Sequence, residues 1–296
     1  MSRTTDTTWR RRLNALTLEL LNGLSLFATL AIVALGLGIT FGLMGVINLA
    51  HGEFIMVGAY VAFVVHEAGW SHWVSVPLAA GVLFVLGAVI EVILIRRIYR
   101  KPELTILATF GLSIVLRQLA ELVFSKDFQS VPNPVPGATE ALGVLFPTYR
   151  YILVAVALGT VVVTLLGFTR SKFGLVVRAI VADRDLAESA GIRTGVTNVL
   201  AFGLGAASAG VAGALVAPLG AVEPNLGLSY LPSAFLVVIV GGFSRLWGVL
   251  VGALVVAVVQ TTLIHYYDAV WALIASLVLA VVMLQMRRSS VAGATA

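Results

Sequence analysis

The sequence predicts an all-α, polytopic membrane bundle of about eight to ten transmembrane or half-spanning helices, some of them broken at glycine. Three observations lead there. Hydrophobic residues fill 59% of the 296 positions and charged residues only 11%, with a mean hydropathy of +1.03. A soluble domain carries roughly 25% charged residues to keep its surface wet. Apolar stretches of about 20 residues, the length that crosses a bilayer core of ~30 Å, recur along the chain. Glycine occurs 29 times, which suits helices packed in lipid, where small residues let backbones approach. The same composition excludes other classes. With no cysteine there is neither a disulfide nor a thiolate metal site. The net charge of +5 falls mostly at the ends of apolar runs, which the positive-inside rule explains without any nucleic-acid partner. Membrane lipid is the expected surrounding.

Residues 1–15 are a polar N-terminal segment that includes Arg10-Arg11-Arg12, and the apolar stretch behind it is too long for a cleavable signal peptide. Residues 16–288 form a single transmembrane domain, and 289–296 a short tail. Leu16 to Val65 exceeds one span and is interrupted by Gly36, Gly38, Gly42, Gly45, Asn48 and His51-Gly52-Glu53, so two or three helical pieces are expected. Single spans follow at 73–95, 103–124, 150–169, 196–218 and 269–286. Leu231 to Ile264 is a second broken region, interrupted by Gly241-Gly242, Ser244-Arg245 and Gly248.

Orientation follows from the short basic loops. Arg96-Arg97-Ile98-Tyr99-Arg100-Lys101 is the densest patch, so it is expected in the cytoplasm. Counting spans from there puts 170–195 and Arg287-Arg288 inside, and the proline-rich loop 125–149 outside as an ordered, non-helical segment. The N-terminal arginines also favour the cytoplasm. That requires 16–50 to cross twice, or to dip in and return.

Four features could carry function. Asn48, His51 and Glu53 stand at a glycine-broken point of an apolar segment, where a discontinuous helix could line a substrate path. A tight turn between helices, with His51 capping a helix end, fits the same residues. His51 and Glu53 alone are too few for a metal site. Gly241 and Gly242 mark a comparable break in the second half, while Gly248/Gly252, Gly38/Gly42 and Gly205/Ala209/Gly213 have the four-residue spacing of helix-packing faces. Arg117 and Glu121 share a helix face and can pair near the outer end of their span. In 170–195, Asp183 or Asp185 can cap a short helix that ends at Gly191, with Leu186, Ala187 and Ala190 on its apolar side and Arg184 and Glu188 on its polar side. No lysine follows a glycine in a phosphate-loop pattern, and no His-Glu-x-x-His motif or recognisable Ser-His motif occurs. The chain is thus expected to be a transport component and not an enzyme.

Gly45-Val46-Ile47-Asn48-Leu49-Ala50-His51-Gly52-Glu53-Phe54 through Gly58-Ala59-Tyr60 resembles the signature of branched-chain amino acid and urea ABC permeases of the LivH and UrtB types. Leu107–Ser113, Arg178–Ile192 and Gly241–Gly252 resemble later segments of that family in the same order. The resemblance implies a multi-pass inner-membrane permease subunit that binds no cofactor itself. It implies a second homologous permease, two ATPases that use the ATP, and a periplasmic solute-binding protein as partners. By the same resemblance Arg178, Ala179, Asp183, Leu186, Ala187, Gly191 and Ile192 belong to the segment that couples to the ATPase. The run Val222–Tyr230 and the Leu246-Trp247-Gly248 triplet resemble the urea permeases more closely, so urea is set slightly ahead of branched-chain amino acids. A passive channel for a small neutral solute and an intramembrane enzyme are the competing classes.

Overall fold

A computed structural model describes residues 3–99, 101–141, 143–242 and 246–292. Among them are eleven α-helices: α1 (Arg3–Met44), α2 (His51–Glu67), α3 (His72–Ile93), α4 (Pro102–Phe124), α5 (Thr148–Arg170), α6 (Lys172–Ala182), α7 (Arg184–Ser189), α8 (Thr194–Val216), α9 (Leu226–Gly241), α10 (Leu246–Tyr266) and α11 (Ala269–Ala292). Six are long and apolar enough to cross a membrane, within Leu13–Gly42, His72–Arg97, Glu103–Phe124, Thr148–Arg170, Thr194–Leu219 and Leu246–Tyr266. The chain is a multi-pass membrane protein. α2, with 17 residues, spans only about 25 Å at 1.5 Å per residue, short of a full crossing.

α1 and α8 form the centre. In each, 78% of the apolar window is buried, against 17% in α4 and 28% in α5, which stand at the periphery. The glycines of α1 do not break it. In lipid the backbone finds no water to replace its helical hydrogen bonds, so an interior glycine leaves the helix intact. Gly36 lies against Gly205 of α8 and Gly38 against Val249 of α10. The break comes after Met44, where Gly45 turns left-handed at φ +67° and its amide bonds to the Phe41 carbonyl at 3.0 Å. The first long region is therefore two helices joined by a re-entrant turn, 45–50, and the second is also two, α9 and α10. Ser244-Arg245 lies outside the described residues.

The outer loop carries more structure than expected. β2 (Ala138–Ala141) and β3 (Val144–Pro147) form an antiparallel hairpin, and β1 (Gln129–Ser130) pairs with β4 (Ala221–Val222), Gln129 facing Val222. Strands of two to four residues leave no periodicity for a sequence to display. Below them Tyr149 is fully buried, its hydroxyl 2.8 Å from the Leu215 carbonyl and 3.3 Å from His72 Nε2, which ties α3, α5 and α8 together.

The expected path of 16–50 is corrected. α1 begins beside the outer hairpin, with Asn14 next to Gly143, and Arg150 Nη1 donates to Asn22 Oδ1 at 2.6 Å. Its other end, Met44, borders Val177 and Ile180 of α6. One continuous helix therefore runs once from the side of the 125–149 hairpin to the side of 170–195. The positive-inside rule sums over all short loops, and the basic residues of 96–101 and 170–195 outweigh three near the N-terminus.

Candidate functional site

The re-entrant turn is held by side chains. Asn48 is fully buried and its Oδ1 accepts from the Ala50 amide at 3.1 Å, so the side chain shapes the turn that starts α2. Thr109 of α4 clamps the same turn: its hydroxyl accepts from the Leu49 amide at 3.2 Å and lies 3.1 Å from the Ile47 carbonyl. His51, also fully buried, places Nε2 2.9 Å from the Val33 carbonyl of α1. Gly52 packs backbone to backbone on Gly227, near the start of α9; a Cβ on either would collide with the other chain segment.

Glu53 is 1% exposed, and its Oε1 accepts from Ser113 Oγ at 2.7 Å and from Arg117 Nη2 at 2.9 Å. The expected pairing of Arg117 with Glu121 is corrected by that contact. Glu121 bonds instead to Gln118 at 3.0 Å and Lys126 at 3.5 Å. A carboxylate buried in the bundle needs a cation far more than one near the aqueous end does, so the buried acid takes the arginine. Asn48 Nδ2, His51 Nδ1, Glu53 Oε2 and Arg117 Nε find no hydrogen-bond partner among the described residues.

Gly241 and Gly242 have different roles. Gly241 meets Gly248 of α10 backbone to backbone, and a Cβ at either would clash. Gly242 takes φ 87°, a left-handed value that glycine adopts without a steric penalty, and so ends α9. The structure does not bring this pair against Asn48, His51 and Glu53. Gly227 packs on Gly52, and Gly241 lies at the far end of α9, roughly 20 Å along the helix.

The segment 170–195 forms α6 and α7. Asp183 caps α7, its Oδ1 accepting from the Leu186 amide at 2.9 Å. Gly191 at φ 81° closes it: its amide reaches the Glu188 carbonyl and the Ile192 amide the Ala187 carbonyl, both at 3.0 Å. Arg178 anchors α6 by donating to the Phe168 carbonyl at the end of α5, 2.7 Å away. Ala179 is half-buried on α6. Of the expected apolar side of α7, Ala187 is buried, while Leu186 is 67% exposed and Ala190 is also exposed. On the polar side Arg184 pairs with Glu188 at 3.2 Å and lies 5.2 Å from the centre of the Tyr99 ring. Tyr99 donates to Glu91 at 2.7 Å, and Arg96 bonds both Glu91 and the Gly195 carbonyl. Burial, and then the carboxylate, push the Tyr99 phenol far above its ordinary range. α7 is thereby tied to the ends of α3 and α8.

The structure adds a feature that sequence reasoning missed. An open cleft of about 710 Å³ lies at the hairpin end of the bundle among α1, α5, α9, α10 and the end of α8, bordered by Glu19, Asn22, Arg150, Tyr230, Thr261 and His265. Its signal was present: Glu19, Asn22, Ser25, Leu26 and Thr29 recur at three- and four-residue spacing on α1, so a mostly polar stripe runs along an apolar helix. Among the described residues no group of three or more His, Asp or Glu is placed to hold a metal ion.

Residues 19–286 match the family described as the permease component of branched-chain amino acid transport systems. The chain is 26% identical to the high-affinity branched-chain amino acid transport system permease protein LivH of Salmonella typhimurium, over 93% of this chain and 94% of the relative. It is 28% identical to the permease protein BraD of Pseudomonas aeruginosa, over 82% of this chain and 84% of that one. With the permease protein LivM of Salmonella typhimurium it shares 28% identity over 77% of this chain and 59% of that one. No solved structure matches.

Proposed function

The chain belongs to the family of branched-chain amino acid transport system permease components, and we propose that it is one membrane-spanning subunit of an ATP-driven importer for branched-chain or similar aliphatic amino acids. The observation that carries this reading is likeness along nearly the whole chain to LivH, with weaker likeness to LivM. A chain that resembles both permeases of one system fits one member of a permease pair. The pair works with two ATPase subunits, which use the ATP, and with an extracytoplasmic binding protein. Relatives named for branched-chain amino acids weigh for that substrate and against the lean to urea that the sequence alone carried.

In this reading α7 meets an ATPase through exposed Leu186, between the cap at Asp183 and the stop at Gly191. Motion there reaches the membrane through Arg184 on Tyr99, Arg96 on Gly195 and Arg178 on α5. The re-entrant turn at Asn48, His51 and Glu53, and the break at Gly241-Gly242, are the elements that rearrange along the substrate path. Unpaired polar atoms clustered around the first turn of α2 support this role, because buried groups without partners are rare in structures built only to be stable.

The test is uptake of labelled leucine and of labelled urea into vesicles holding the complete assembly. Leucine uptake is expected only with ATP and the binding protein. Uptake that needs neither would leave a passive channel as the reading. Uptake of urea alone would reverse the substrate. Leu186→Arg is expected to lower leucine uptake more than tenfold while the permease pair still purifies intact.

A further inference from the structure

The outer cleft joins two opposite charges that no interaction within the chain uses up. Arg150 is held in place: its Nη1 donates to Asn22 Oδ1 at 2.6 Å and its guanidinium lies 5.7 Å from the centre of the Phe146 ring. A guanidinium carries five N–H donors, so most remain free to bind a ligand. Glu19 lies on the same wall, three residues before Asn22 and thus about one helical turn from the group that holds Arg150. Glu19 makes no ion pair or hydrogen bond among the described residues. The rest of the lining mixes apolar Leu18, Leu26, Leu219 and Ile264 with polar Ser25, Tyr230, Thr261 and His265. Ionisable side chains in membrane helices are costly and point to ligand or ion contact when they line a cavity. At about 710 Å³ the cleft has the size of a small-molecule site.

We propose that this cleft is an entry site for a zwitterionic aliphatic amino acid, with the carboxylate on Arg150 and the ammonium on Glu19. The two charges of an α-amino acid are separated by one carbon, and Arg150 is bonded to Asn22, which stands one helical turn from Glu19 on α1. The leucines and isoleucine of the lining are available to an aliphatic side chain. The outer position suits a solute released by an extracytoplasmic binding protein, so the assignment rests on the importer reading and names the chemistry of its first contact in the membrane subunit. A neutral amide such as urea would leave Glu19 unpaired, so the cleft also separates the two candidate substrates.

The experiment uses the assembled transporter without its binding protein. Its thermal unfolding midpoint is followed as millimolar leucine, 3-methylbutylamine (ammonium only) or 4-methylpentanoate (carboxylate only) is added. Leucine is expected to raise the midpoint and the two single-charge analogues to leave it unchanged. Glu19→Gln is expected to abolish the leucine shift, and because Glu19 has no bonded partner among the described residues this variant should assemble normally. Arg150→Lys is expected to weaken the shift at least tenfold in leucine concentration, since an ammonium cannot reproduce the fork of donors. A leucine shift of equal size in wild type and Glu19→Gln overturns the proposal, as does no shift in wild type. ATP-driven leucine uptake by the same wild-type transporter, placed in vesicles and supplied with its binding protein, separates the two failures: uptake without a shift sinks only the site, and no uptake sinks the amino-acid importer reading as well.

Discussion

Glu53 and Glu19 both project from apolar helices, and the chain treats them in opposite ways. Glu53 is 1% exposed, with Ser113 and Arg117 on one oxygen. Glu19 borders an open cleft and has no bonded partner among the described residues, although Arg150 lines the same wall and bonds instead to Asn22. A charge buried in the bundle has to be neutralised by the protein itself, since the cost of leaving it alone is several kcal/mol. One that opens on water can be left for a ligand. The inner cluster is therefore architecture that can also be a hinge, and the outer one is unfilled binding capacity. Substitutions that remove each charge separate these two conditions.

The largest effect is expected at Glu53. Glu53→Ala leaves Arg117, only 22% exposed, facing a buried site without its carboxylate, and should lower stability by about 3–5 kcal/mol. Removing both charges in Glu53→Gln/Arg117→Met should recover much of that loss, because the penalty lies in the uncompensated ion. Thermal melting of the purified protein in detergent checks both. A double variant no more stable than Glu53→Ala would mean that the pair contributes through packing and not through charge.

Gly52→Ala comes next. The added Cβ would meet the backbone of Gly227, not a flexible side chain, so α2 and α9 have to part, at a cost of about 1–3 kcal/mol for an overpacked site. Gly159→Ala is the control: it lies on α5 with open space around it, and there a helix interior should gain about 0.5–1 kcal/mol. If the two alanine variants melt alike, α2 and α9 are not in the contact described.

Thr109→Val tests the clamp on the re-entrant turn. The shape is kept, but the Leu49 amide loses its acceptor, which costs about 1–3 kcal/mol when the group stays dry. Hydrogen exchange should report the change locally, with faster exchange at 47–51 and little change in α8. Uniform loosening of the whole bundle would instead show that Thr109 acts on global packing.

What the sequence could convey about these elements follows from how far apart their partners stand. The cap and stop of α7 are local, Asp183 to Leu186 and Gly191 to Glu188, so residue types at short spacing announce them. The break at Gly45–Ala50 and the close-packed glycine faces are also local patterns. The partner of Arg117 is 64 residues away, and the nearer Glu121 is the better guess from helical spacing alone. Gly36, Gly38 and Gly42 suggested breaks because glycine is a helix breaker in water, a property that lipid removes. The outer cleft draws on α1, α5, α9 and α10, and its two charges are 131 positions apart in a chain whose short loops also carry many others. Only the packing of α1 on α5 joins them.

The smallest effect on stability is expected at Glu19, and it is the most discriminating. Glu19→Gln removes a charge that has no bonded partner among the described residues and borders open space. A substitution of that kind normally changes stability by less than about 0.5 kcal/mol. Glu53→Gln changes the same atoms of the same residue type and should cost several times more, because Arg117 then faces a neutral amide in the bundle. The two variants measured side by side hold the chemistry constant and vary only the surroundings. Equal melting temperatures would mean that water reaches Glu53 as freely as Glu19, and the division into a closed inner cluster and an open outer one would be lost. A stable Glu19→Gln protein that no longer imports leucine would assign that carboxylate to the ligand.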